Sequence, residues 1–145
     1  MAKNNLRLTK EYESVSKRFD VEFDEDNIRM WFIAVRGPDK TPYENGTFLV
    51  KIVFGNDYPM SPPTVTFETK ILHPNVKKDG GMCIALLKNE WTHSNTVNNI
   101  LDNILTLLTI PNLSDPINVD LAKKYLENYE GYKTMVKEYT REYAT

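Results

Sequence analysis

The chain has 145 residues, 41% of them hydrophobic, and a net charge of −2 from 18 Lys and Arg against 20 Asp and Glu. A chain of about 150 residues buries roughly 68–70% of its unfolded surface, so one domain with an unstapled core is expected over 1–145. The charge balance argues against nucleic acid as the main partner. A single cysteine excludes an internal disulfide framework and fits a reducing compartment, cytosol or nucleus. The apolar runs are too short to cross a bilayer, and the first residues lack the apolar core of a signal peptide.

From about residue 4 to 17 a helix is expected, because Leu8, Tyr12 and Val15 recur at i, i+4 and i+7. Lys3, Arg7, Lys10 and Lys17 run along another face, and Asp20, Glu22, Asp24, Glu25 and Asp26 follow at once. The basic stretch reads either as a solvated face or as a surface that steers an acidic protein partner. The period then changes to two. Strands are expected at Asp20–Asp24, Met30–Arg36, Thr47–Phe54 and Thr64–Thr69, with Asn45-Gly46 marking a turn. Sequential strands joined by turns predict an antiparallel meander. Tyr58-Pro59-Met60-Ser61-Pro62-Pro63 is neither helix nor central strand, and a cis Tyr58–Pro59 bond suits it.

Residues 70 to 95 carry no regular period, yet Ile71, Leu72, Val76, Met82, Ile84, Leu86, Leu87 and Trp91 make them too apolar for disorder. An ordered functional coil is the expectation. A helix capped by Asn95 or Thr96 then runs to about Leu108, apolar over a wide arc and therefore central. A further helix over Asn118–Asn128 turns Leu121, Ala122, Tyr125 and Leu126 inward, and Gly131 separates it from a last helix. The class is α+β: a helix, four strands, a long coil and three helices.

Cys83 is the strongest nucleophile available. A thiolate attacks carbonyls and thioesters and forms covalent acyl intermediates. Free cysteine is also among the most buried residue types, and Met82 and Ile84 read as core neighbours. Asp79-Gly80-Gly81 allows a tight turn just before the thiol, which favours presentation over burial. A cysteine hydrolase needs a positioned histidine base. Of His73 and His93, His73 precedes a proline that holds it extended, and it reads as a structural histidine bonding backbone groups. One Cys and two distant His do not match zinc-ligand spacing, and no glycine-rich phosphate loop is present, so no metal or cofactor is expected.

Acyl transfer from thiol to thiol, then to an amine, is what remains. Amine attack builds an oxyanion, to which Asn75 could donate a hydrogen bond, or whose loop Asn75 could hold. Asp115 could orient a lysine and help remove its proton. Asn75 and Asn112 can equally be turn residues, and Asp115 a cap before Pro116.

His73-Pro74-Asn75, Gly81-Met82-Cys83-Ile84, Leu87-Lys88, Trp91 and Pro111-Asn112 together resemble the ubiquitin-conjugating enzymes. Gly37-Pro38 with Thr41-Pro42-Tyr43-Glu44-Asn45-Gly46 is similar to that family's first hairpin, and Asp57 to Pro63 to its proline-rich loop. The resemblance covers nearly the whole chain and implies a bare catalytic core. It implies that an activating enzyme hands ubiquitin to Cys83 as a thioester, and that the modifier then passes to a lysine of a protein substrate. On the same resemblance, Asn75 stabilises the oxyanion or its loop, and Asp115 orients the lysine. His73, Asn112, Ala85 and Trp91 support the site. Arg7 and Lys10 face the activating enzyme, while Met60 and His93 face a ligase, expected to be RING-type.

The departures from the family pattern are specific. Ala85 stands where many members carry an acid, Met60 where ligases usually grip an aromatic, and Thr92-His93-Ser94 where many read Ser-Pro-Ala. Asp102 occupies a position that is often a leucine packing on the donor ubiquitin. A divergent member with a restricted set of ligases is implied. Two alternatives stay open: a non-catalytic module of the same fold assisting an active partner, and a conjugating enzyme for another ubiquitin-like modifier.

Overall fold

The computed structural model describes residues 2–82 and 84–145. Met1 and Cys83 lie outside the described residues, as do the side chains of residues 2–5, Lys3 among them. In chain order the elements are α1 (Ala2–Ser16), β1 (Asp20–Asp24), β2 (Asn27–Arg36), β3 (Thr47–Val53) and β4 (Thr64–Phe67). A 3₁₀ turn (Ala85–Leu87) follows, then α2 (Val97–Thr109), α3 (Val119–Glu127) and α4 (Tyr129–Tyr143). The sheet runs β1-β2-β3-β4 with every pairing antiparallel, the expected meander. β4 stops at Phe67, but the amides of Glu68 and Thr69 still bond to the Leu49 carbonyl, so the pairing fades rather than breaks.

Alternation puts Trp31, Ile33 and Val35 of β2, Phe48, Val50 and Ile52 of β3, and Val65 and Phe67 of β4 in the core. Their register makes one apolar face: Val35 opposite Phe48, Ile33 opposite Val50, Trp31 opposite Ile52, and Ile52 opposite Val65. α2 belongs to the same core, with Val97, Ile100, Leu101, Ile104 and Leu108 buried. Each such side chain contributes about 1.5–3 kcal/mol. The helix opens with a capping box: the Thr96 side chain accepts the Asn99 amide, and Asn99 Oδ1 accepts the Thr96 amide.

On α1, Leu8 and Val15 are buried as expected, and the stripe also carries the buried Glu11. Its carboxylate accepts from Arg7 Nε (2.7 Å), Tyr58 Oη (2.6 Å) and the Val97 amide (2.7 Å). Three elements are thereby joined: α1, the loop after β3 and the first residue of α2. The Tyr58–Pro59 bond is cis.

Two expectations about the last helices fail. Gly131 does not separate them; it lies inside the first turn of α4. The break is at Asn128, which ends α3 and whose Oδ1 accepts the Gly131 amide at 3.0 Å as the cap of α4. A Cβ on Gly131 would stand 2.5 Å from Asn128 Nδ2, so the glycine makes room for that cap. Leu126 is not inward but 70% exposed. α3 has only nine residues, and its final turn projects past the core that Leu121 and Ala122 reach.

Candidate active site

The segment leading to residue 83 is pinned to the free edge of β4. Gly80 accepts the Phe67 amide at 2.8 Å, Thr66 pairs with Gly81, and Val76 pairs with Met82. Lys77 and Gly81 close the intervening turn with an N–H···O bond of 2.9 Å. Gly80 has φ +90°, and a Cβ there would meet the Phe67 carbonyl oxygen at 2.0 Å, so this turn requires glycine. On the far side, Ile84 is buried and leads into the 3₁₀ turn Ala85–Leu87. Cys83 itself lies outside the described residues, but its two neighbours are held by the sheet edge and the core.

His73 is 1% exposed. Its Nδ1 accepts the Asn75 amide at 2.9 Å, which leaves the ring proton on Nε2 to be donated to the Leu107 carbonyl at 2.7 Å. Burial pushes its pKa down to about 4, against the opposing pull of that carbonyl. The ring is therefore neutral and structural, with both nitrogens committed to backbone groups, as the sequence predicts. Stability follows from the same shift. The unfolded imidazole takes a proton near pH 6.5 and the folded one only near 4, so unfolding gains a proton between those values and stability falls as pH drops through that window. The shift corresponds to about 2 kcal/mol lost between pH 7 and pH 5. Urea unfolding at both pH values is expected to show this loss in the parent chain and a flatter profile in His73→Gln.

Asn75 is 2% exposed and fully engaged. Its Nδ2 donates to the Asn112 carbonyl (2.8 Å) and its Oδ1 accepts the Asn112 amide (2.9 Å), a two-bond clamp on backbone. The Asn112 side chain turns forward, its Oδ1 accepting from the Ser114 amide (3.0 Å) and hydroxyl (2.6 Å), and so shapes the loop that ends at Asp115. Pro74 accepts the amides of Ile117 and Asn118 at 2.8 and 3.0 Å, which anchors the other end of that loop. A relay thus runs from α2 through His73 and Asn75 to the 112–115 loop.

These residues border an open cleft of about 660 Å³, whose lining includes Asn75, Ala85, Lys88, Asn103, Asn112 and Asp115. Ala85 and Asp115 are both exposed. The expected trio of Asn75, Asn112 and Asp115 is therefore brought to one cleft beside Ile84. Lys88 enters the sequence reading only within the Leu87-Lys88 match, and Asn103 not at all; it is one of several polar residues of α2, with nothing in the sequence to set it apart. Among the described residues no cluster suited to a metal ion is present.

The second set of expected residues gathers elsewhere. Trp91 Nε1 donates to the Pro59 carbonyl at 2.8 Å, and Arg7 Nη2 donates to the Asn95 carbonyl at 2.7 Å. Trp91 thus braces the proline loop and does not line the cleft. Met60 is 71% exposed, and Lys10 and His93 are exposed too. Arg7 is committed to Glu11 and Asn95, so it is a brace between α1 and the loop before α2 as much as a surface cation. Asp102 pairs with Arg18 at 2.5 Å on the exposed face of α2.

Comparison with known proteins gives a single answer. A family profile described as ubiquitin-conjugating enzyme matches residues 5–140. The Saccharomyces cerevisiae protein named Ubiquitin-conjugating enzyme E2 13 is 35% identical over 148 residues, covering 99% of this chain and 97% of that protein. Among solved structures, a Toxoplasma gondii ubiquitin conjugating enzyme E2 domain is similar with a TM-score of 0.92 at 33% identity, covering 98% of this chain and 99% of that one.

Proposed function

The chain belongs to the ubiquitin-conjugating enzyme family, and on that footing we propose that its 145 residues form one catalytic core that carries ubiquitin on Cys83. Cys83 Sγ attacks the thioester carbonyl on the activating enzyme, forming one C–S bond as the other breaks and the activating enzyme's thiolate leaves. A neutral lysine amine of a substrate, usually brought by a ligase, then attacks the Cys83 thioester. A C–N bond forms, the C–S bond breaks, and the thiolate departs while the amine's proton passes to Asp115 or solvent. The observation that carries this reading is the clamp of Asn75 on the 112–115 loop, which sets Asp115 on the cleft that Ile84 and Ala85 border.

Asn75 acts as a positioning residue in this scheme. Its carboxamide is buried and already bonded twice, which favours ordering of the loop over direct contact with the oxyanion. Incubation with activating enzyme, ATP and ubiquitin should give an adduct that thiol removes. Asn75→Ala is expected to load normally but to discharge to free lysine about 10- to 100-fold more slowly, the cost of one or two lost hydrogen bonds to the loop. Failure of Asn75→Ala to load would make the residue purely structural.

The Asp102–Arg18 pair favours a second reading of the cargo. A charged pair on the face of α2 replaces the apolar clasp expected for ubiquitin, so a ubiquitin-like modifier is the alternative, and loading across a panel of modifiers separates the two. Cytosol or nucleus is the compartment consistent with a single free thiol.

A further inference from the structure

An open apolar groove of about 260 Å³ lies between α1 and the β1–β2 hairpin, and it shares no residue with the cleft. Leu8 and Tyr12 of α1, Phe23 of β1, and Ile28 and Trp31 of β2 make its walls, with Glu13 beside them. Phe23 and Ile28 are 45% and 47% exposed, high for side chains of their size and polarity. The walls are set before anything binds. Tyr12 meets Phe23 and Trp31 edge to face, with ring centroids 5.5 and 5.3 Å apart. Tyr12 Oη donates to the Val21 carbonyl at 2.8 Å, and Trp31 Nε1 donates to the Ile28 carbonyl at 3.0 Å. Both polar tips are thus spent on backbone, and the aromatic and aliphatic carbons are left to line the groove.

The rim of the groove carries one sign. Residues 20–28 hold five acids and no base. Asp24, Glu25 and Asp26 make the tip of the hairpin between Phe23 and Ile28, and Glu13 lines the groove from α1. Among the described residues none of these four acids is in an ion pair. The nearest arginines on either side are committed elsewhere: Arg18 to Asp102 and Asn98, and Arg29 Nη1 to the Gly55 carbonyl at 2.7 Å. Lys10 and Lys17, one turn before and after Glu13, are not in the walls. Even when Lys10, Lys17 and Arg29 are all set against Glu13, Asp20, Glu22, Asp24, Glu25 and Asp26, three bases against six acids leave the region three charges negative.

We propose that this groove docks a partner protein through a short basic segment that carries one large apolar anchor. The anchor lies against Tyr12, Phe23 and Ile28, while Lys or Arg residues beside it face the hairpin tip. The volume is below the roughly 300–1,000 Å³ of small-molecule pockets, which suits a single anchoring side chain better than a metabolite. The apolar walls hold the anchor, and the acids steer and orient the segment; an acidic segment meets like charge there. Docking needs no thioester, so it stands or falls apart from the reaction proposed above.

Titration of the ¹⁵N-labelled chain with three peptides tests it by amide chemical shifts. One peptide has a phenylalanine flanked on each side by two lysines, the second the same phenylalanine flanked by glutamates, and the third the lysines around an alanine. The Lys-Phe peptide is expected to move the amides of Tyr12, Phe23 and Ile28 saturably at low ionic strength, and high salt to weaken it. It should bind about tenfold or more tighter than the Lys-Ala peptide, whose side chain buries far less apolar surface. In the double variant Glu25→Lys, Asp26→Lys its affinity should fall about five- to twentyfold, the effect of replacing two exposed attractions by repulsions, and the Glu-Phe peptide should become the tighter of the two. Both positions are exposed, and the amide spectrum of the free variant shows that the fold is kept. No saturable shift at those amides, shifts centred elsewhere, or equal binding of the Lys-Phe peptide by parent and double variant would overturn the proposal. Movement of the same amides on dilution of the free chain would give the groove to a second copy and overturn it as well.

Discussion

Cys83→Ala is expected to abolish the modifier adduct entirely, and Cys83→Ser to replace it with one that thiol cannot remove. No other cysteine exists in the chain, so no second thioester can form. The serine hydroxyl is a far weaker nucleophile than a thiolate at neutral pH, so the oxyester should accumulate slowly. It survives reduction because its C–O bond is not exchanged by thiols. Intact-mass spectrometry before and after reductant reads both outcomes, and loading of the serine variant shows that the fold survives the change. A reducible adduct persisting in Cys83→Ala would remove this residue from the chemistry. A thiol that stays inert to an alkylating reagent in the folded chain would instead favour the non-catalytic module.

Glu11→Ala is expected to cost about 3–5 kcal/mol of stability, the range for removing one partner of a buried charge pair. Its carboxylate is the common acceptor for Arg7, Tyr58 and the first amide of α2. Alanine leaves all three without it. The Tyr58 hydroxyl and the Val97 amide are shielded from water, and each orphaned group costs about 1–3 kcal/mol. The Arg7 side chain keeps 29% exposure and can recover some hydration, which places the loss nearer the lower bound. Glu11→Gln retains an acceptor and should cost less. Urea unfolding of both variants checks the order; a loss below about 1 kcal/mol for Glu11→Ala would show that core packing, not this network, holds α1. Tyr58 and Arg7 also brace the loops that present Met60 and His93, so the same network holds that surface.

Glu11 also marks a boundary of what can be read from residues alone. It lies three residues after Leu8 and four before Val15, squarely on the apolar stripe of α1, and that placement was the available signal of burial. A helical period places a residue on a face but says nothing of what the face meets. Its three partners come from its own helix, a loop 47 residues on and a helix 86 residues on. Asn128 and Gly131 teach the same lesson locally. A glycine in the sequence suggests a break at Gly131, but its place is inside the first turn of α4, where the cap side chain of Asn128 needs the space that glycine leaves.

Local patterns were enough for the class, the strand order and the family. Alternation, helical periodicity and turn residues act over a few neighbours, and except at Leu126 and Gly131 they agreed with the final fold. The cysteine, the asparagines and the aspartate at their spacings already pointed to acyl transfer. The clamp of Asn75 on the backbone of Asn112, the neutral His73 held between Leu107 and Asn75, and the commitment of Arg7 to Asn95 came from folding. Each joins groups far apart in the chain, and a buried polar atom takes whatever partner packing brings within about 3 Å. Composition decides that such atoms must be satisfied; the packing of distant segments decides by which residue.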